Sequence, residues 1–138
     1  MKSTCFVFAI ALMLSACGGS DSIPTAPSAN QPFAITELRA GTGAEATVGR
    51  NVTVNYNLWL WDSLGPDNKG SRIQAGNFSF TVGSGVIPGF SQGTQGMKVG
   101  GLRRVVVPPN LGYGAAGSPP DIPGNATLIF EIELVSVQ

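Results

Sequence analysis

The chain has no histidine and only two cysteines, and charged residues are sparse at 12% of its 138 residues. Without imidazole, the side chain whose ordinary pKa lies nearest neutrality is missing, and so is the commonest metal ligand. Both cysteines, Cys5 and Cys17, stand near the start of the chain. Beyond Cys17 there is neither a disulfide nor a thiolate metal site to stabilise a fold. Eight basic residues balance eight acidic ones, for a formal net charge of zero. No net field therefore draws the chain to nucleic acid or acidic lipid. The apolar run from Cys5 to Leu14 falls short of the ~20 residues that a membrane-spanning helix needs. These absences leave no metal, cofactor or nucleic acid expected.

What is present begins with a leader. Lys2 gives a positive start, the Cys5–Leu14 run follows, and small residues come next. That order reads as an export signal over residues 1–16. The tetrad Leu14-Ser15-Ala16-Cys17 resembles the bacterial lipobox, in which cleavage leaves the cysteine as an acylated N-terminus. The resemblance implies lipidation at Cys17, a membrane anchor, and a place in the bacterial envelope. Gly18 after the cysteine favours the outer membrane, with the domain facing the periplasm. Each acyl CH₂ buried in a bilayer contributes ~0.8 kcal/mol, so several chains at Cys17 would anchor stably. Residues 17–32 are rich in Gly, Ser, Pro, Asn and Ala and read as a tether that cannot bury a core. Removing Lys2 with the leader leaves seven basic against eight acidic residues, a formal charge of minus one.

Residues 33–138 read as one domain. Nineteen glycines and ten prolines imply many turns, hence a sheet-rich fold rather than a bundle. Phe33–Arg39 is a plausible first strand. Val52, Val54, Tyr56, Leu58 and Leu60 alternate with Thr53, Asn55, Asn57, Trp59 and Trp61, the period of two of a half-buried strand. The two tryptophans fall on the opposite face, where partial burial at a sheet edge is expected, with an exposed aromatic patch as the alternative. Asp62–Gly76 reads as a long polar loop. Phe78, Phe80 and Val82 alternate again. Leu102–Val107 is a strand bounded by Gly101 and Pro108. In Thr127–Val137, Leu128, Phe130, Ile132 and Leu134 share one face, with Ile129, Glu131 and Glu133 on the other. Only Gly89–Met97 could form a short helix. Gly93 and Gly96 weaken it, so packing must hold it. The expected fold is α+β, a twisted antiparallel sheet over one short helix.

Three glycine-rich stretches carry the chemistry. They are Val86-Ile87-Pro88-Gly89-Phe90, then Gly96-Met97-Lys98-Val99-Gly100-Gly101, and then Pro108-Pro109-Asn110-Leu111-Gly112-Tyr113-Gly114. They gather aliphatic and aromatic groups around turns with almost nothing ionisable. Such a site is unsuited to acid–base hydrolysis but can hold a small apolar ring out of water. Taken alone, Phe78 and Phe130 read as core, and Tyr56 and Tyr113 as structural hydroxyls. The string Gly112-x-Gly114-x-x-Gly117 matches a dinucleotide-binding fingerprint only formally, because Pro108-Pro109 and Pro119-Pro120 flank it and leave no helix to follow.

These stretches, together with Gly43-Ala44-Glu45-Ala46, Val52-Thr53-Val54-Asn55-Tyr56 and Ile122 to Leu134, occur in an order that resembles the FKBP-type peptidyl-prolyl cis-trans isomerases, from Phe33 to Gln138. The resemblance implies a half-barrel sheet wrapped on one helix, with an apolar pocket between them. It implies that Tyr56, Phe78, Val86, Ile87, Phe90, Tyr113 and Phe130 line that pocket. The Ile87 backbone N–H and the Tyr113 hydroxyl would hold a substrate carbonyl, with Tyr56 beside them. Phe90 stands where many relatives carry Trp. Proline-containing polypeptides, and a macrolide inhibitor of the family, are the implied partners, and no cofactor is needed. One feature of the family is missing: a Phe-Asp pair after the second strand, whose Asp orients the pocket tyrosine. Asp67 is the carboxylate that could substitute. Without one, the loss of a hydrogen bond to a charged group costs ~1.5–3 kcal/mol, roughly ten- to a hundredfold in rate. Two functions follow, an isomerase assisting the folding of exported proteins, or a proline-binding chaperone module with weak or no turnover.

Overall fold

The computed structural model describes residues 31–138. The leader, Cys17 and all but the end of the tether lie outside the described residues. The elements are β1 (Ala34–Arg39), β2 (Asn51–Trp61), β3 (Lys69–Thr81), α1 (Pro88–Thr94), β4 (Leu102–Val107) and β5 (Leu128–Val137). The strands form one five-stranded sheet in the order β1-β4-β5-β2-β3, and every pairing is antiparallel. It is an open sheet with α1 on one face, as the alternation and the single weak helix lead one to expect.

The face toward α1 holds the core. Val52, Val54 and Leu58 of β2 are buried with Leu128, Phe130, Ile132 and Leu134 of β5 and with Val105 and Val107 of β4. Period-two spacing puts each set on one side of the pleat. The other face is polar and cross-linked. Asn77 donates to Asn55, Asn55 to Glu133, and Thr53 bonds Ser79. Arg104 pairs with Glu131, and so does Lys69, whose ammonium also lies 4.3 Å from the Trp59 ring centroid.

How α1 reaches the sheet is explained by its glycines. A Cβ on Gly89 would come within 2.4 Å of Val107, and one on Gly93 within 2.6 Å of Val105. These two positions, one helical turn apart, sit directly on β4, where no side chain fits. Thr94 is fully buried and donates its hydroxyl to the Phe90 carbonyl at 2.9 Å. Arg103 donates to the carbonyls of Gly93 and Gln95 and so satisfies the helix end. The glycines that weaken the isolated helix are thus what allow it to dock.

Two local expectations need correction. Asp62–Gly76 is not a loop throughout: Pro66–Asn68 is a tight turn in which Asp67 and Asn68 take positive φ, and β3 already begins at Lys69. β3 is an edge strand and its register slips against β2. Its outer half is polar and non-alternating, so the sequence shows no strand period there. Ile129 lies on the outer face with Glu131 and Glu133, as its alternation predicts, and is covered there: it is 1% exposed, with Val106 and Trp59 as its register partners. Trp59 and Trp61 are partly buried, but β2 has a strand on each side and is not an edge.

Candidate active site

The pocket lies between the inner face of β2, β3 and β5, the start of α1, and the segment after β4. Tyr56, Leu58, Gln74, Phe78, Gly85, Val86, Ile87, Phe90, Tyr113 and Phe130 line it, around a cavity of about 180 Å³. That is below the ~300–1,000 Å³ of sites for drug-sized molecules and suits one ring of a larger ligand. The structure brings together all seven residues implied by the resemblance: Tyr56, Phe78, Val86, Ile87, Phe90, Tyr113 and Phe130.

The aromatic walls are fixed by mutual packing. Phe90 and Phe130 meet edge-to-face at 5.0 Å between centroids and 80°. Tyr56 stands edge-on to Phe78 at 5.3 Å and to Phe90 at 5.9 Å. Phe80 backs Phe78 and Phe90 at 5.4 Å from each. Pairs of this geometry contribute ~0.5–1.5 kcal/mol each beyond area burial. Phe90 and Phe130 are 2% and 4% exposed, whereas Tyr113 is 40% exposed. The floor is therefore part of the core and the rim is open.

Backbone features aim the remaining groups. Ser91 of α1 accepts the Gly83 N–H at 2.7 Å, which ties the turn ahead of Gly85 and Val86 to the helix. Ile87 caps α1. Phe90 and Ser91 donate to its carbonyl, and Pro88 brings no N–H. Tyr113 is held between two turns, with Gly112 and Gly114 both donating to the Pro109 carbonyl. Gly114 has φ +62°, a conformation that glycine adopts without strain. Ile122, 5% exposed, pins the far side of this segment to the core. The Gly112–Gly117 string is made of turns, with no helix after it.

The electrostatics are those of a neutral cleft. Among the described residues, no carboxylate, ammonium or guanidinium lines the pocket. Burial, and after it the neighbouring Tyr113, pushes the Tyr56 phenol above its ordinary value, so it remains a hydroxyl at neutral pH. Asp67 does not stand in for the missing carboxylate. It is exposed, reaches Arg104 at 3.3 Å, and is absent from the pocket lining. What β3 offers the pocket is Gln74, preceded by Ile73, which packs against the core.

Leu58, Gln74 and Gly85 were not anticipated. Leu58 follows Tyr56 by two positions on the same strand face, a signal that was available. Gln74 was hidden by the reading of its segment as loop. Among the described residues there is no cluster of His, Cys, Asp or Glu fit to hold a metal ion, and no helix long and apolar enough to cross a membrane.

Comparison with known proteins agrees with this geometry. Residues 43–135 match the family model described as FKBP-type peptidyl-prolyl cis-trans isomerase. The FK506-binding protein of Neisseria meningitidis serogroup A is 43% identical over 103 residues, covering 75% of this chain and 94% of that protein. Among solved structures, the peptidyl-prolyl cis-trans isomerase of Pseudomonas syringae pv. tomato superposes with a TM-score of 0.66 at 31% identity, covering 87% of this chain and 86% of that one. FkpA of Escherichia coli gives a TM-score of 0.64 at 35% identity, over 77% of this chain and 48% of FkpA. By sequence and by fold, the chain belongs to the FKBP-type peptidyl-prolyl cis-trans isomerases, a family of enzymes.

Proposed function

We propose that this chain isomerises X–Pro bonds by binding the prolyl ring in the aromatic pocket, and that it does so on exported polypeptides from a lipid anchor at Cys17. The observation that carries the reading is the enclosure of a neutral cavity by Tyr56, Phe78, Phe90 and Phe130, with Ile87 and Tyr113, the residues to which the family resemblance gives a backbone N–H and a hydroxyl, also in its lining.

The physics needs no titrating group. Resonance in the C–N bond sets a barrier of ~18–20 kcal/mol, and X–Pro exchange takes tens to hundreds of seconds. The planar amide is strongly dipolar, and twisting it removes the resonance and lowers the dipole. A cleft that replaces water by aromatic rings disfavours the planar form more than the twisted one. The rings fix the pyrrolidine. The Ile87 N–H and the Tyr113 O–H hold a carbonyl, so that rotation occurs about one bond. Tyr56, kept protonated, adds a hydroxyl at the wall without adding charge.

The envelope location rests on the lipobox-like Leu14-Ser15-Ala16-Cys17 and the polar tether, and the outer membrane facing the periplasm is the proposed place. A macrolide of the kind that names the Neisseria relative would seat one ring in the cavity and leave its bulk outside. The neutral Gln74 rim favours a second reading, a proline-binding chaperone with little turnover, because no carboxylate orients the tyrosines.

A protease-coupled assay on a prolyl tetrapeptide separates the two. Isomerase action predicts release of the cis fraction faster than the uncatalysed rate, with a macrolide competing. A background rate with retained macrolide binding leaves only the chaperone.

A further inference from the structure

The inner face of β3 carries Phe78, Gly76 and Gln74 opposite Val54, Tyr56 and Leu58 of β2. The register then slips: Leu58 pairs with Gln74, but Trp59 pairs with Arg72, so Ile73 is left as a bulge. Simple alternation would send Ile73 to the outer face, yet it packs against the core. Bulges next to sites re-aim side chains in this way. Here the bulge adjoins Gln74, which lines the rim of the pocket.

Between Phe78 and Gln74, Gly76 contributes no side chain and leaves a notch on the strand face. Tyr56 forms its far wall. A Cβ on Gly76 would lie 3.5 Å from the Tyr56 ring edge and 3.7 Å from its hydroxyl, which is ordinary contact. The notch can thus be narrowed without a clash. Gln74 is the one lining side chain with an amide, and an amide both donates and accepts. A polypeptide running past a bound proline presents N–H and C=O groups that need such partners.

We propose that Gln74, with the notch over Gly76, is a specificity-determining subsite for the residue adjoining proline. It reads that residue by neutral hydrogen bonding and shape, and does not sort it by charge. This rests on the isomerase reading above.

The test uses prolyl tetrapeptides that differ only in having Leu, Ala, Glu or Lys before proline. The unmodified protein is expected to turn over the Glu and Lys peptides within about threefold of each other, since two charges ~4 Å apart in water are worth only ~1 kcal/mol and the rim carries none. Gln74→Glu should then favour Lys over Glu by about thirtyfold, because attraction of the one and repulsion of the other each contribute ~1 kcal/mol, and Gln74→Lys should reverse the order. Gly76→Ala should raise KM for the Leu peptide more than for the Ala peptide. Thermal midpoints identify any variant that fails to fold, and Gln74→Met serves as a neutral control of similar length.

Charge variants that fold, turn over the Leu peptide, and leave the Lys-to-Glu ratio unmoved would overturn the subsite. If the unmodified protein turned over no peptide, the isomerase reading would fail by itself. The subsite would then be judged by the same ratios in peptide Kd from calorimetric titration, where a swing of about thirtyfold supports it and its absence refutes it.

Discussion

Replacing Gly93 by Ala tests how α1 is seated, and with it how the pocket floor is held. In an isolated helix the change should help, because Ala is favoured over Gly by ~0.8–1 kcal/mol. The structure argues for the opposite sign. The new Cβ would sit 2.6 and 2.9 Å from the two methyls of Val105 and 3.2 Å from its Cβ. Val105 is fully buried, so its side chain has nowhere to turn. Contacts between carbon atoms are comfortable at ~3.5–4.0 Å, so the helix or the strand must shift by nearly an ångström. Overpacking of this kind costs ~1–3 kcal/mol. Net of propensity, a loss of up to about 2 kcal/mol is expected, with a fall of roughly 4–8 °C in Tm per kcal/mol for a domain of this size. Phe90 rides on the same helix and forms the pocket floor, so turnover should fall as well. Urea denaturation of the purified protein gives the stability change. The double variant with Val105→Ala should lose less than the two single changes together, by at least ~0.5 kcal/mol, the range of coupling seen for contacting residues. A more stable Gly93→Ala protein, or strict additivity in that cycle, would refute the close approach.

Other consequences are quicker to check. Tyr113→Phe removes a hydroxyl from a residue 40% exposed; stability should change by under ~0.5 kcal/mol, while kcat/KM falls about tenfold for one lost hydrogen bond in the transition state. Equal losses of stability and turnover would contradict its role. Phe130→Ala, at a side chain 4% exposed, should cost ~3–5 kcal/mol of stability, which a chemical-denaturation curve would show. With no carboxylate, ammonium or guanidinium among the described residues that line the pocket, kcat/KM should stay level from about pH 5 to pH 9, between ordinary carboxylate and tyrosine ionisation. A bell-shaped profile would reveal a titrating participant. Stability should respond to pH at both ends. The hydrogen bond from Arg39, with one from Asn55, holds Glu133 below its ordinary pKa; its contribution is present above that ordinary value and is lost as pH falls through the depressed one. Tyr56 is raised, so its contribution is present below the ordinary phenol value and is lost as pH rises through the raised one. Glu133→Gln should flatten the acid limb and leave the alkaline limb alone.

Much of the architecture could be read from periodicity, for a physical reason. β2 and β5 each bury one face, so alternation in Val52–Leu60 and Leu128–Leu134 is imposed by the core. β3 is different: its outer half is an exposed edge interrupted by the Ile73 bulge, and neither condition demands a pattern. Alternation puts Ile129 on the outer face, where it lies, and only the sheet order shows that Val106 and Trp59 flank it there. Gly89 and Gly93 lower helix propensity, and their use appears only once Val105 and Val107 are known to lie beneath them. The pocket aromatics come from distant parts of the chain, and no local period links Tyr56 to Phe90 or Phe130. Their association was legible through the ordered motifs of a family. Gln74 belongs to no such motif, and only the bulged register reveals it at the rim.

The central claim is that an uncharged aromatic cleft lowers the barrier to prolyl rotation. Two-dimensional exchange NMR on a prolyl tetrapeptide, with a small molar fraction of the protein, measures that rotation without a coupling enzyme. The account predicts cis–trans exchange cross-peaks on the sub-second scale, where the free peptide takes tens of seconds or more, and their loss in Phe90→Ala protein that remains folded. Peptide resonances that shift on binding while exchange stays at the uncatalysed rate would contradict it.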